Sequence, residues 1–162
     1  VDTKRSILFS FFSAEELGLV GSANLASKLK HQGLKPYVMV NFEMIGVPLP
    51  NKDYLAYITG YHKSNLARVF NRNSDYQVLG LLPGAEDFNL FKRSDNYAFF
   101  EEFGIPSHTV STFDFNNYDY YHHVKDEFEE LDMEHMHKLV EALVPGLRKM
   151  ANAEEKEIKI IQ

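Results

Sequence analysis

The sequence predicts an α/β sandwich built on a largely parallel β-sheet. Short apolar runs of strand length alternate along the chain with segments in which apolar residues have helical spacing. Hydrophobic residues make up 44% of the 162 residues, which is enough for one domain with a sizeable core. In sheets of this kind, ligand sites lie at the carboxyl ends of the strands.

Four short runs are predicted to be strands, and the first three of them are apolar and predicted to be buried. Each run is too short for a typical helix and rich in aromatic or β-branched residues. The runs are residues 5–12, 37–42, 54–59 and 107–112.

Four segments are predicted to be helices: residues 22–31, 64–73, 95–103 and about 133–150. Gly33 and Gly104 follow two of them, as glycine commonly does where a helix ends. Asp132 can N-cap the last helix. The apolar face of that helix would consist of Met136, Leu139, Val140, Leu143 and Leu147.

Two segments are predicted to be loops. Residues 74–93 carry Gly80, Pro83 and Gly84 and are interpreted as a long irregular loop, a feature that is often functional in a compact domain. Residues 116–126 form a polar, aromatic loop. The tail, residues 153–162, is charged and then apolar and carries no structural prediction.

Composition excludes several classes of function. The net charge of −6 argues against a nucleic-acid partner, and no apolar run approaches the ~20 residues of a membrane span. The chain has no Cys, so it has neither disulfides nor a thiolate metal site. It begins at Val1 and not at methionine, so we expect a processed product or a piece of a longer protein.

A pair of carboxylates, Glu15 and Glu16, follows the first predicted strand directly. One carboxylate of such a pair can bind a metal while the other acts as a general base on an activated water. An alternative needs no metal, because Ser13-x-x-Glu16 also has the pattern of a helix capping box.

Three further residues are candidates for a metal site. Glu43 ends the second predicted strand, and its alternative is a solvated loop carboxylate. His122 lies in an aromatic loop that suits zinc, although a structural role is the commoner one for a lone histidine, and spacing does not decide between His122 and His123. Asp95 opens a predicted helix, where its alternative role is an N-cap. Together these oxygen and nitrogen donors are of the kind that zinc takes.

In chain order, four stretches resemble the M28 family of zinc aminopeptidases and carboxypeptidases. They are RSILFSFFSAEELGLVGS (residues 5–22), NFEMIG (41–46), FKRSDNYAFFEEFGIPS (91–107) and YYHHVKDEFEEL (120–131). The resemblance spans about residues 4–150, so residues 1–162 are interpreted as a single, partial peptidase domain. It implies a three-layer α/β/α sandwich around a mixed, mostly parallel sheet.

The resemblance also implies a site with two zinc ions, bridged by an aspartate and a water. It makes Glu15 the general base, and it makes Glu16 and His122 ligands of one zinc. Glu43 stands where the family usually has an aspartate that binds the other zinc.

The family pattern Tyr-His-x-x-x-Asp fits Tyr121, His122 and Asp126, which favours His122 over His123. Tyr121 and Asp126 are therefore expected near the substrate or behind the metal ligands, with Asp126 as a partner of His122. Asp95 matches a family aspartate near the substrate and the metals.

Two departures from the family pattern modify these expectations. Glu43 is one methylene longer than the usual aspartate, so it is expected to hold zinc differently or more weakly. The family's remaining ligands lie in an upstream His-x-Asp motif, and the fourteen residues before Glu15 contain no histidine. We therefore expect that the first strands of the domain are missing, that the chain alone binds few zinc ions and is inactive, and that an exposed sheet edge allows oligomers to form.

The function expected from the resemblance is that of a zinc-dependent exopeptidase, an aminopeptidase that hydrolyses N-terminal peptide bonds. The alternatives are an acyltransferase of the glutaminyl cyclase kind and a module that retains the fold without activity. Aromatic residues at 113–115 and 118–121 would suit either an apolar side-chain pocket or simple packing. The resemblance favours a periplasmic or secreted protein, and nothing else in the sequence bears on the compartment.

Overall fold

The structure, a computed structural model, describes residues 3–72, 74 and 76–161. The predicted positions 73, 75 and 162 lie outside the described residues. The strands are β1 (Met39–Phe42), β2 (Ala56–Ile58), β3 (Leu79–Gly80) and β4 (Ser107–Ser111). The α-helices are α1 (Val20–His31), α2 (Leu66–Asn71), α3 (Pro83–Asp87), α4 (Asn96–Phe103) and α5 (Met133–Asn152). Within these residues, no helix combines the length and the apolar character that a bilayer crossing requires.

The four strands form one mixed sheet in the order β1-β4-β2-β3. β1 is parallel to β4 and β2 is parallel to β3, whereas β2 and β4 are antiparallel. Side chains alternate across the sheet, so that Ala56 and Ile58 join a core with α2 and α5 while Tyr57 packs into a second cluster with α3. Helix α4 packs against β1, β4 and α1. The predicted α/β fold is confirmed.

Residues 6–12 contradict the prediction of a buried first strand. They belong to no strand, and the side chains of Ile7, Phe9 and Phe11 are 53%, 82% and 101% exposed. Within the described residues, their backbone pairs with no other strand. An apolar run becomes a buried strand only where neighbours accept its hydrogen bonds and cover its faces, and no pattern inside the run itself records those neighbours.

The prediction of an irregular loop over residues 74–93 is also wrong, because β3 and α3 lie within it. Pro83 occupies the first turn of α3, where a missing backbone N–H costs nothing. The side chain of Asn71 accepts hydrogen bonds from the backbone N–H groups of Val78 and Leu79 at 3.1 and 2.9 Å, which holds the start of β3 against α2. Glycine and proline here mark element ends rather than a structureless loop.

The predicted helix ends are confirmed where the signal is local. Gly33 and Gly104 adopt left-handed backbone conformations with φ of 76° and 61°, directly after α1 and α4. Asp132 caps α5 by accepting the backbone N–H of His135 at 2.8 Å. Val140 was wrongly placed on the buried face of α5, since its side chain is 49% exposed. The buried face runs instead through Leu139, Ala142, Leu143 and Gly146.

The tail returns to the domain and completes the core beside α2. Ile158 is buried, and its backbone N–H donates to the hydroxyl of Tyr37 at 2.7 Å. Ile160 pairs with Ser64 in an isolated antiparallel bridge. Residues 153–161 are therefore part of the folded unit.

Candidate active site

The turn that carries Glu15 and Glu16 is not the start of a helix. The carbonyl of Glu15 accepts the N–H groups of Gly18 at 3.0 Å and Leu19 at 2.8 Å, and α1 begins only at Val20. Glu16 therefore does not occupy the third position of a helix, and the capping-box alternative is wrong. The turn leaves both carboxylate side chains available for other contacts.

Glu16 and His122 meet although 106 residues separate them in the chain. Glu16 Oε1 lies 3.0 Å from His122 Nε2, and both side chains are largely exposed. The ring of His122 stacks on that of Tyr121 with 4.0 Å between centroids, and Tyr121 packs in turn against Phe113 at 4.7 Å. The structure thus brings two of the predicted metal ligands into direct contact and backs one of them with an aromatic stack.

His123, the alternative ligand, and Asp126, the expected partner of His122, both make their contacts within the same loop. The Nδ1 atom of His123 accepts the backbone N–H of Lys125 at 3.1 Å, a contact within the loop. Asp126 was expected to partner His122, but its Oδ1 accepts the hydroxyl of Tyr118 at 2.6 Å instead. The expected contact between the carboxylate of Asp126 and the imidazole of His122 is therefore not formed in this structure.

Glu43 follows the end of β1 and is half-buried. Its Oε2 accepts hydrogen bonds from the side-chain amide of Asn41 at 3.0 Å and from the hydroxyl of Ser94 at 2.7 Å. Ser94 also bonds to the hydroxyl of Thr109 at 2.8 Å, and both of these side chains are almost fully buried. Glu43 is consequently not a solvated loop carboxylate.

The hydrogen bonds behind Glu43 continue into the sheet and were not predicted. The Thr109 hydroxyl donates to Asn96 Oδ1 at 2.8 Å, and the amide of Asn96 donates to two backbone carbonyls, one of them that of Ser107. The available signal was the alternation of Ser107, Thr109 and Ser111 in a buried strand, because buried polar groups have hydrogen-bond partners. The alternation predicts a buried hydrogen-bond network along β4, but it does not predict that the network ends at Glu43.

Asp95 is only 6% exposed and immediately precedes α4. Its side chain makes no capping hydrogen bond, so the N-cap alternative is not supported. The buried Oδ1 atom of Asp95 has no hydrogen-bond partner among the described residues. Its negative charge acts on both Glu15 and Glu43, which places it within the same acidic cluster.

Burial, together with neighbouring negative charges, raises the pKa of two carboxyl groups, those of Glu15 and Glu43. For Glu15 the largest cause is burial, followed by the charges of Glu16 and Asp95, while His122 opposes the rise. For Glu43 burial again comes first, opposed by the hydrogen bond from Ser94 and reinforced by the charge of Glu15. A cation in this cleft would favour the ionised forms, so the electrostatics suit a metal or another positive group.

The donors that meet in the described residues fit part of a zinc site. No group of three or more His, Cys, Asp or Glu side chains in this part of the chain lies close enough to hold one ion. Glu16 and His122 provide two donors of the types that zinc binds, whereas a catalytic zinc usually has three protein ligands.

Comparisons with known proteins agree with the fold and with the motifs. The sequence model of peptidase family M28 matches residues 1–145. A structure of LapA from Legionella pneumophila shares 25% identity with a TM-score of 0.65, covering 91% of this chain and 42% of that one. A second structure, described as the LapA aminopeptidase of Legionella pneumophila, shares 22% identity with a TM-score of 0.71, covering 96% and 41%.

An aminopeptidase structure from Aneurinibacillus sp. strain AM-1 is similar at 23% identity, with a TM-score of 0.63 and coverage of 93% of this chain and 35% of that one. The chain thus spans less than half the length of these three structures. None of the curated proteins compared with the chain matches it significantly.

Proposed function

Because the chain belongs to peptidase family M28, we propose that it forms part of the active site of a zinc-dependent aminopeptidase. The family match supports a peptidase, and the aminopeptidase structures support the finer proposal of cleavage at N-terminal peptide bonds. The observation that carries the proposal is the 3.0 Å contact between Glu16 and His122, two donors from distant parts of the chain, directly beside Glu15.

In this proposal, Glu16 and His122 hold one zinc ion and Glu43 contributes to a second. The hydrogen bonds to Glu43 reach its Oε2 atom, while its Oε1 atom has no hydrogen-bond partner among the described residues and is available to a cation. At such a site, bound zinc supplies polarisation of the scissile carbonyl and activation of a water molecule.

Glu15 is proposed as the general base. It accepts a proton from the water that attacks the carbonyl carbon, and it delivers that proton to the departing amine when the C–N bond breaks. Burial raises its pKa toward the operating pH, where a general base works best, and a bound cation would oppose this rise. Burial and the neighbouring carboxylates, in that order, cause the rise.

The 162-residue chain by itself is proposed to be a weak zinc binder and a poor enzyme. Among the described residues of the candidate site, two donors, Glu16 and His122, are in direct contact, and no third His, Cys, Asp or Glu joins them to hold one ion. With two protein ligands instead of the usual three, each ion would be held loosely. We infer that further ligands of the working enzyme lie outside the described residues.

The test is an assay of the full-length protein on aminoacyl-p-nitroanilides with free or acetylated amines. The proposal predicts hydrolysis of the free-amine substrates, loss of that activity on chelation and its return with zinc. Equal cleavage of acetylated substrates, or activity that survives complete removal of metal, would contradict the proposal. Release of ammonia from N-terminal glutamine without peptide hydrolysis would point instead to a glutaminyl cyclase.

A further inference from the structure

The loop that presents His122 is closed by a bond between two side chains. The hydroxyl of Tyr118 donates to Asp126 Oδ1 at 2.6 Å, which joins residues that are eight positions apart. Inside this loop, the N–H of His123 donates to the carbonyl of Tyr120 at 2.9 Å, and the N–H of Asp126 donates to the carbonyl of His123 at 3.0 Å. Residues 118–126 therefore contain two consecutive turns, with a side-chain latch between Tyr118 and Asp126.

His122 has a backbone conformation that needs such support. Its φ is +56°, in the left-handed region, which a non-glycine residue keeps only where surrounding structure holds it. The stack on Tyr121 orients the imidazole ring but leaves the path of the backbone undetermined. The latch between Tyr118 and Asp126 restricts that path, because it fixes the distance between the two ends of the loop.

We infer that Tyr118 and Asp126 are positioning residues for His122, whose Nε2 atom they direct toward Glu16 by closing the loop. The inference rests on the proposed role of His122 as a zinc ligand. Asp126 then acts on His122 indirectly, by fixing the loop that carries it. Tyr118, which no sequence motif had indicated, gains a role as the partner of Asp126.

Loss of the latch would lower the fraction of molecules in which His122 is placed for binding. Apparent zinc affinity falls in proportion to that fraction. The bond is charge-assisted but lies at the surface, and partners of metal ligands typically affect affinity ~10–100-fold when they contact the ligand directly. For an indirect contact we expect a smaller loss, on the order of 3–10-fold.

The experiment measures zinc affinity of the full-length protein by competition with a chromophoric chelator. Tyr118→Phe removes the donor and should lower the affinity roughly 3–10-fold. Asp126→Asn replaces the carboxylate by a weaker, uncharged acceptor and should cause a loss no larger than that of Tyr118→Phe. The double variant should lose no more than Tyr118→Phe alone, since both changes act on one bond. Tyr120→Phe is the matched control, because its hydroxyl bonds to no described residue, and it should bind zinc like the wild type. The unfolding temperature of the zinc-free protein should be the same in all four variants.

Three outcomes would overturn the latch. Losses that add in the double variant would show two independent effects, and a loss in Asp126→Asn without one in Tyr118→Phe would show that Asp126 acts without Tyr118. If the Tyr118 and Asp126 variants kept the zinc affinity of the wild type but the zinc-free proteins unfolded at a lower temperature, the bond would contribute to stability and not to the placement of His122. His122→Ala tests the proposed zinc ligand separately from the latch. If this variant keeps full zinc affinity, the proposed role of His122 fails, whatever the latch variants show.

Discussion

The two sides of the candidate site are held in different ways before any metal binds. Glu43 is half-buried and fixed by hydrogen bonds from Asn41 and Ser94 at the edge of the sheet core. Glu16 and His122 instead lie on exposed loops and contact each other. Folding alone thus places the carboxylate of Glu43, whereas the placement of Glu16 and His122 depends on contacts between loops.

This difference bears on the replacement of the usual family aspartate by Glu43. A longer side chain has more rotamers to lose, and an unsupported glutamate would be a poor ligand. Two hydrogen bonds to one of its oxygens remove most of that freedom and leave the other oxygen free of described partners. In the proposed zinc site, the buried network would therefore offset the disadvantage of the longer side chain.

The largest effect is expected at Glu15, which interacts electrostatically with residues on both sides. Glu15→Gln in the full-length protein should lower turnover by about 10²–10⁴-fold, because a general base is lost. Zinc content should stay nearly unchanged, because no ligand is removed. Parallel measurement of kcat and bound zinc checks both statements, and loss of zinc together with activity would make Glu15 a ligand.

The exposed side is tested by replacing the two adjacent histidines separately. His122→Ala should lower zinc affinity by more than the ~10–100-fold typical for residues that only support a ligand. His123→Ala is the matched control and should leave the affinity near that of the wild type, because the ring of His123 contacts Tyr120 and Lys125 of its own loop and not Glu16. Similar zinc losses in both variants, measured by calorimetric titration, would remove the distinction between them.

The sheet behind the candidate site contains a buried histidine that makes stability depend on pH. His108 lies on β4 with its Nε2 atom 2.6 Å from the Ser64 hydroxyl and its Nδ1 atom 2.8 Å from the carbonyl of Thr59. Burial lowers its pKa from 6.5 to about 4, so the folded state keeps the ring neutral. Between these two pH values the unfolded chain binds the extra proton, and stability falls as the pH is lowered through this window.

The shift corresponds to a loss of about 3 kcal/mol in the free energy of unfolding between pH 6.5 and pH 4. Urea unfolding at a series of pH values, on the wild type and on His108→Gln, measures the loss. The variant should be less stable at neutral pH but should show a flatter decline below pH 6.5. Parallel pH profiles for the two proteins would mean that His108 is not the titrating group.

The smallest effect is expected at Ser94, the residue that joins Glu43 to the sheet. Ser94→Ala removes a hydroxyl that bonds to Glu43, Asn41 and Thr109, so buried polar atoms lose a partner. Unfolding should become easier by about 1–3 kcal/mol. Ser6→Ala, at an exposed position, is the control and should change stability by less than about 0.5 kcal/mol. Equal effects of the two substitutions would show that the network behind Glu43 contributes nothing to stability.

Local signals in the sequence predicted local structure well. The helix ends at Gly33, Gly104 and Asp132 were correct, because the residue that ends or caps a helix acts on atoms within one turn of itself. Strand β2 was found for a similar reason, since its short run of apolar residues reflects burial on both faces.

The predictions fail where contacts between distant parts of the chain determine the structure. Residues 6–12 have the composition of a buried strand, yet only neighbouring strands could bury them, and the described residues supply none. The conformation of the loop, and not sequence spacing, determines the partner of Asp126. Its carboxylate therefore bonds to Tyr118 and not to His122 as expected. The hydrogen bonds to Glu43 were not foreseen, because Asn41, Ser94 and Thr109 come from three separate elements.

The central claim, that Glu16 and His122 are zinc ligands, is tested most directly by a crystal structure of the full-length protein with anomalous diffraction at the zinc edge. We predict an anomalous peak about 2.0–2.1 Å from His122 Nε2 and about 2.0–2.2 Å from a carboxylate oxygen of Glu16. The peak would replace the direct 3.0 Å contact between these side chains. A zinc-loaded, active crystal in which that contact persists and the zinc peak lies on other residues would contradict the account.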